Sequence, residues 1–158
     1  MLAEITETQR RKVEALHTRY IRVVDDDRIE EWPGLFAENG IYRIITRENF
    51  SQGLPLPLME CRGHGMMRDR VTGLRKVNVY EPQRYLHHVS ALDIEAVEGE
   101  VARCRSNYLV TRALLDGSQM LFSAGLYLDR IDLAAGKFLE RVVVTESRRV
   151  DTLLVIPL

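Results

Sequence analysis

Between residues 84 and 146 the chain carries four strand-like runs separated only by short breaks: Arg84–Val97, Val101–Leu115, Ser118–Ile131 and Lys137–Glu146. Each break holds turn chemistry, namely Glu98-Gly99, Asp116-Gly117 and the stretch Asp132-Leu133-Ala134-Ala135-Gly136. An Asp-Gly pair supplies the positive φ angles that a tight hairpin requires, so this spacing predicts an antiparallel meander of long strands. Everything before residue 80 is helical or irregular in character and is expected to cover one face of that sheet.

Alternation assigns faces to the meander. In the third run Met120, Phe122, Ala124, Leu126 and Leu128 fall on one face, with Gln119, Ser123 and Asp129 on the other. In the second, Ala102, Cys104, Tyr108, Val110 and Leu114 oppose Arg103, Arg105, Asn107 and Thr111. On the same reading the polar face also carries Leu109, Leu121, Tyr127, Leu139 and Val143. Large apolar groups mixed with Arg103, Arg105 and Asn107 mark an interface rather than plain solvent surface. Apolar groups on both faces of an antiparallel sheet mean that both are covered, and the helices suffice for one.

Upstream, Thr6 or Thr8 caps a first helix to about Val24, with Val13, Leu16, Tyr20 and Val24 on one face and His17 beside them. The run Asp25-Asp26-Asp27 ends it, and Asp27 with Glu30 has capping-box spacing for a second short helix. Pro33 suits a first turn, with Leu35 and Phe36 as anchors. Asn39-Gly40 reads as a turn and 41–46 as a strand that joins the later sheet. Residues 47–62, with Pro55 and Pro57, read as irregular, and their leucines and Phe50 suggest docking. A further helix runs from about Gly65 to Val77, with Met67, Val71 and Leu74 on one face, and Tyr80-Glu81-Pro82 leads into the meander. This order predicts an α+β roll in which a strongly twisted sheet curls around the helices like a cone.

A length of 158 residues fits a single domain, 1–158. Net charge is −1, from 22 basic and 23 acidic side chains, which argues against nucleic acid or an anionic membrane as partner. No apolar run approaches the roughly 18 residues that span a bilayer. The start of the chain lacks a signal-peptide pattern. Cys61 and Cys104 imply no disulfide framework, so the expected location is cytoplasmic.

Catalytic signatures are thin. Cys61-Arg62-Gly63-His64 is half of a metal motif without its other half, and adjacent His87 and His88 on a strand point to opposite faces. No metal site is expected. There is no nucleophile elbow, no phosphate loop and no complete dinucleotide fingerprint. One enzyme-like constellation remains: Tyr20, Asp25, His88 and Tyr108 lining the interior of the cone, with His88 read as inward because it shares a strand face with Leu86, Leu92 and Ile94. An inward histidine near acids and tyrosines can do acid–base work, although it more often is a core group with one hydrogen-bond partner.

Several stretches together resemble the small (β) subunits of aromatic-ring-hydroxylating dioxygenases, the Rieske non-haem iron oxygenases. They are Glu31-Trp32-Pro33-Gly34-Leu35-Phe36, the run from Tyr42-Arg43 through Arg47-Glu48-Asn49-Phe50 to Gly53-Leu54-Pro55-Leu56, Met67-Arg68-Asp69-Arg70-Val71, Tyr80-Glu81-Pro82-Gln83-Arg84-Tyr85-Leu86-His87-His88, Ser106-Asn107-Tyr108, Gly125-Leu126-Tyr127-Leu128-Asp129 and Ile156-Pro157-Leu158. The Arg-Glu-Asn-Phe and Gly-Leu-Pro-Leu pieces look most like the branch acting on aromatic carboxylates such as salicylate, anthranilate or terephthalate. The resemblance implies a cone-shaped α+β fold similar to nuclear transport factor 2. It also implies a structural role without a cofactor in this chain, and a large (α) subunit holding the Rieske 2Fe-2S cluster and the mononuclear iron. Three small subunits would associate as a homotrimer within a hexamer. A stand-alone dehydratase or isomerase, or a ligand-binding protein of the same fold, is the alternative if His88 and an acid of the 25–27 run converge on a pocket.

Overall fold

A computed structural model describes residues 4–77, 82–146 and 157–158 of the chain. In chain order it contains α1 (Glu7–Asp25), β1 (Phe36–Thr46), α2 (Arg47–Ser51), β2 (Met59–Arg62), α3 (Gly63–Thr72), β3 (Gln83–Glu98), β4 (Val101–Leu114), β5 (Gln119–Asp132) and β6 (Lys137–Thr145). The strands form one sheet in the order β2-β1-β6-β5-β4-β3, antiparallel throughout except for the parallel β1–β6 pair. The expected meander is therefore present, and the early strand joins it beside β6. Tyr80-Glu81 and Ile156 of the motifs above lie outside the described residues.

Local chemistry accounts for the ends of these elements. Thr6 caps α1: its hydroxyl accepts from the Gln9 backbone N–H at 3.2 Å, while the Gln9 side chain accepts from the Thr6 N–H at 2.9 Å. This reciprocal box satisfies two backbone donors that the first turn leaves open. The β4–β5 hairpin turns at Gly117, whose φ of 86° an L side chain rarely adopts. The Asp116 carboxylate fixes that turn by accepting from the Ser118 N–H at 2.8 Å.

Four upstream expectations change. Asp27 makes no capping box; φ there is 57°, and Asp27 and Glu30 instead bind the guanidinium of Arg75. Two 3-10 turns, Ile29–Glu31 and Pro33–Leu35, replace the short helix. Asn39-Gly40 is not a turn but a register irregularity inside β1. There a Cβ at Gly40 would meet the Ala37 carbonyl at 2.9 Å, so close backbone approach is what demands glycine. The stretch 47–62 holds α2 and β2, and α3 passes into a wider π turn at Gly73–Val77.

The core lies between the helices and one face of the sheet. Val13, Leu16, Tyr20, Val23 and Val24 of α1 pack with Trp32, Phe36 and Tyr42, and with Tyr108, Tyr127, Ile131, Phe138 and Val143 from the strands. A second apolar cluster, Ile45, Val142 and Val144 with Leu126 and Leu128, lies on the opposite face.

Candidate functional site

Phase errors at four bulges decide which side chains reach the interior. In β5, Val110 pairs with Ser123 but Thr111 with Leu121, so Phe122 is an extra residue and the alternation inverts there. Beyond it Ser123, Tyr127, Asp129 and Ile131 point inward. Tyr127 is therefore 0% exposed, and Val143, opposite it on β6, is as deeply buried. Both are removed from the expected interface. Leu139 is the extra residue of a second bulge, between the Arg130–Glu140 and Ile131–Phe138 pairs, and is half-buried. Arg103, Arg105, Asn107, Leu109 and Leu121 are exposed as expected.

In β3 one break lies between Ser90 and Asp93, where Ala91 adopts φ 51°, and a second between Ile94 and Ala96. Ile94 is thereby placed on the face of Tyr85 and His87, not of Leu86 and His88. His88 is exposed, and the inward histidine is His87, at 5% exposure. Reading Ile94 through the bulge as a neighbour of His88 is what assigned the wrong ring.

Asp25 holds His87 at two points. One carboxylate oxygen accepts from the His87 backbone N–H at 2.9 Å, and the other lies 2.6 Å from Nδ1. Tyr20 meets this ring edge-on at 6.4 Å. Tyr108, the fourth expected pocket residue, is inward but elsewhere: it stacks on Tyr127 at 4.7 Å, with its hydroxyl 2.9 Å from that of Ser123. Of the expected pocket, then, Tyr20 and Asp25 meet around His87.

The space between Tyr20, Tyr127 and Phe138 is filled by Arg141, whose guanidinium carbon lies 4.3, 3.9 and 4.3 Å from those three ring centroids. Arg141 donates to both oxygens of Asp129 at 2.8 Å, and His17 Nε2 lies 3.0 Å from the same carboxylate. His17 donates from Nδ1 to the Val13 carbonyl at 3.0 Å. Burial pushes the Asp129 carboxyl up, but the charge and hydrogen bonds of Arg141 and the bond to His17 outweigh it and hold the group below the usual carboxylate range. The sequence reading missed this network. Its signal was available only through register, since Asp129 and Arg141 face each other across β5 and β6. The Tyr20 hydroxyl donates to the Leu158 carbonyl at 2.6 Å, and Tyr42 donates to the same oxygen at 3.1 Å.

Nucleophile chemistry is muted. Burial pushes the Cys104 thiol up to about 12 and also raises Cys61, so neither is a thiolate near neutral pH. His64 Nε2 donates to the Phe36 carbonyl at 2.8 Å. Among the described residues no three His, Cys, Asp or Glu side chains are grouped as a metal centre needs.

The outer face of the sheet is different. Cross-strand register aligns Asn107, Leu126, Val144 and Ile45 in one row and Arg105, Leu128, Val142 and Arg43 in the next. Leu109 lies between His88 and Ala124 in the row beyond. An apolar stripe with an arginine border thus crosses β4, β5, β6 and β1. It continues into the proline loop, where Ile45 and Arg43 share a groove of about 440 Å³ with Phe50, Leu54, Pro55 and Pro57.

This architecture is that of a SnoaL-like domain, whose family model matches residues 6–139. The anthranilate 1,2-dioxygenase small subunit of Burkholderia cepacia is 36% identical over 145 residues, covering 90% of each chain. A terephthalate 1,2-dioxygenase terminal oxygenase component subunit beta 1 of Comamonas sp. is 31% identical over 149 residues, covering 93% of this chain and 97% of the other. A crystal structure assigned as the beta subunit of an aromatic-ring-hydroxylating dioxygenase from Novosphingobium aromaticivorans superposes with a TM-score of 0.89 at 34% identity, covering 98% of this chain and 100% of that one. The chain belongs to the family of small (beta) subunits of aromatic-ring-hydroxylating dioxygenases.

Proposed function

We propose that this chain is the structural small subunit of an oxygenase acting on aromatic carboxylates in aromatic catabolism. In this reading it folds as one domain over residues 1–158 and works in the cytoplasm. It associates as a homotrimer and carries a large subunit that holds the Rieske cluster and the mononuclear iron. The observation that carries the proposal is the outer sheet face, where Leu109 is exposed and Leu126 and Leu128 are only half-buried beside the buried Ile45, Val142 and Val144, on the face opposite the helix-covered core. Arg103, Arg105 and Arg43 border it, and guanidinium groups suit an interface because they pair carboxylates bidentately. The names of its relatives, with anthranilate and terephthalate as substrates, support the choice of aromatic acids. Among the described residues no helix is long and apolar enough to cross a membrane.

The test is co-expression with the candidate large subunit, followed by sedimentation and a panel of aromatic acids. Leu128→Asp places an unpaired charge in the stripe, and such burial typically costs several kcal/mol. The variant should sediment as a smaller species than the wild type. A wild-type chain that stays monomeric at micromolar concentration, alone and with the large subunit, would overturn the proposal.

A further inference from the structure

Tyr20 and Tyr42 come from different elements, α1 and β1, and the periodicity of each element turns them inward. Both are 0% exposed. Their hydroxyls meet at one residue far along the chain. Leu158 presents its carbonyl oxygen to both, at 2.6 Å from Tyr20 and 3.1 Å from Tyr42, and donates its own N–H to the Tyr42 oxygen at 2.8 Å. Leu158 belongs to no helix or strand, yet it is 2% exposed and joins the main core cluster. Pro157 beside it is buried as well.

In regular structure, backbone groups pair mostly with other backbone groups. Leu158 instead has its N–H and its carbonyl taken by side chains, which is how a small bound molecule is oriented. The dependence runs both ways, because without this carbonyl two buried phenols lose the acceptor they share, and buried polar groups are almost always paired. A third phenol of the cluster, Tyr127, packs edge-on against Tyr20 at 6.4 Å, and its buried hydroxyl has no hydrogen-bond partner among the described residues. Two O–H donors on one oxygen, with a phenol oxygen accepting an N–H, fit an amide. The apolar core around Leu158 fits a branched group of its size.

We propose that Tyr20 and Tyr42 form an amide-recognition site in the interior and that Leu158 is its tethered occupant, closing the pocket to free ligands. The inference goes beyond the structural role proposed above, which concerns the outer face of the sheet. A tethered group acts at an effective concentration on the order of millimolar, so a free amide meets only those molecules from which Leu158 has withdrawn. Leu158→Asp in the full chain vacates the site, because an unpaired carboxylate does not stay in an apolar core. The probe is N-acetyl-L-leucinamide, which repeats the carbonyl, N–H and side chain of the residue, and N-acetylglycinamide, without the branched group, is its control. In an NMR titration the probe should bind Leu158→Asp one to one and about tenfold or more tighter than wild type. The control should bind that variant about tenfold or more weaker than the probe. Adding Tyr20→Phe and Tyr42→Phe to Leu158→Asp should weaken the probe about tenfold or more. Amide exchange reads the seat without relying on the charged variant to fold. The Leu158 N–H should be protected in wild type, and Tyr42→Phe, which keeps the ring and removes the acceptor, should speed its exchange about tenfold or more. The proposal falls if the probe binds Leu158→Asp no better than wild type, if the control binds as well, or if the two Phe changes leave binding unaltered. It falls equally if the Leu158 N–H is unprotected in wild type or indifferent to Tyr42→Phe.

Discussion

Replacing Asp129 with Ala should be among the most damaging single changes in this fold. Arg141 is 1% exposed and is enclosed by Tyr20, Tyr127 and Phe138, so without Asp129 its charge has no route to water. Breaking a buried pair by removing one partner costs about 3–5 kcal/mol. A domain of this size has roughly 5–15 kcal/mol in total. Each kcal/mol shifts the melting temperature by about 2–4 °C in chains of 150–250 residues, so the variant should melt some 6–20 °C lower. The attraction is not the whole effect, and a double-mutant cycle separates the parts. Asp129→Leu combined with Arg141→Met removes both charges and keeps apolar volume, and such replacements are often neutral or stabilising. The double variant should therefore be more stable than either single variant. Urea denaturation of the four proteins at one fixed concentration measures this. A single-variant loss below about 1 kcal/mol, or a double variant showing the sum of both single losses, would refute the claim that the stranded charge dominates.

The same carboxylate sets an acid limit. Its folded-state pKa is depressed, so its contribution is full above the unfolded value of about 3.9 and is lost as pH falls through the folded value. Stability measured by urea at stepped pH should drop below about pH 4, and Asp129→Asn should flatten that part of the profile. His87→Ala leaves Asp25 without its ring partner and should cost about 1–3 kcal/mol, whereas exposed His88→Ala should stay within about 0.5 kcal/mol. Gly125→Ala would put a methyl carbon 1.9 Å from the Val144 carbonyl oxygen, forcing β5 and β6 apart; overpacking of this kind costs about 1–3 kcal/mol or more, and a thermal melt reads it directly.

Much of the fold was legible because its signals are local. The ends of β3 to β6 fall within a residue or two of the turn residues that announce them, and Thr6 marks the start of α1 through its own side chain. What was not legible is non-local. Period-2 alternation survives only until a bulge, and nothing in the residue types at Ala91, Phe122 or Leu139 announces an extra residue, since the register that creates it is a property of two strands. A straight reading across a bulge puts side chains on the wrong face, as it did for Tyr127 and Val143 and, through Ile94, for His88. The Arg141–Asp129–His17 network was hidden for the same reason. Charged residues in a strand read as solvent-facing until register shows one directly opposite the other.

The filled interior bears on where this chain does its work. A ligand seeking the space between Tyr20, Tyr127 and Phe138 would have to displace a guanidinium held by two charge-assisted hydrogen bonds and three rings. Such bonds are worth about 1.5–3 kcal/mol each, and the displaced charge would still lack water. Small ligands gain at most about 1.5 kcal/mol per non-hydrogen atom and usually far less, so a site at that depth would spend most of its affinity on the displacement. The outer face has the opposite character. Its stripe of Leu126, Leu128, Val142 and Val144 is already desolvated in part, carries no buried charge among these four side chains, and gains by being covered. Physical cost thus turns the chain outward, toward the outer face of its sheet.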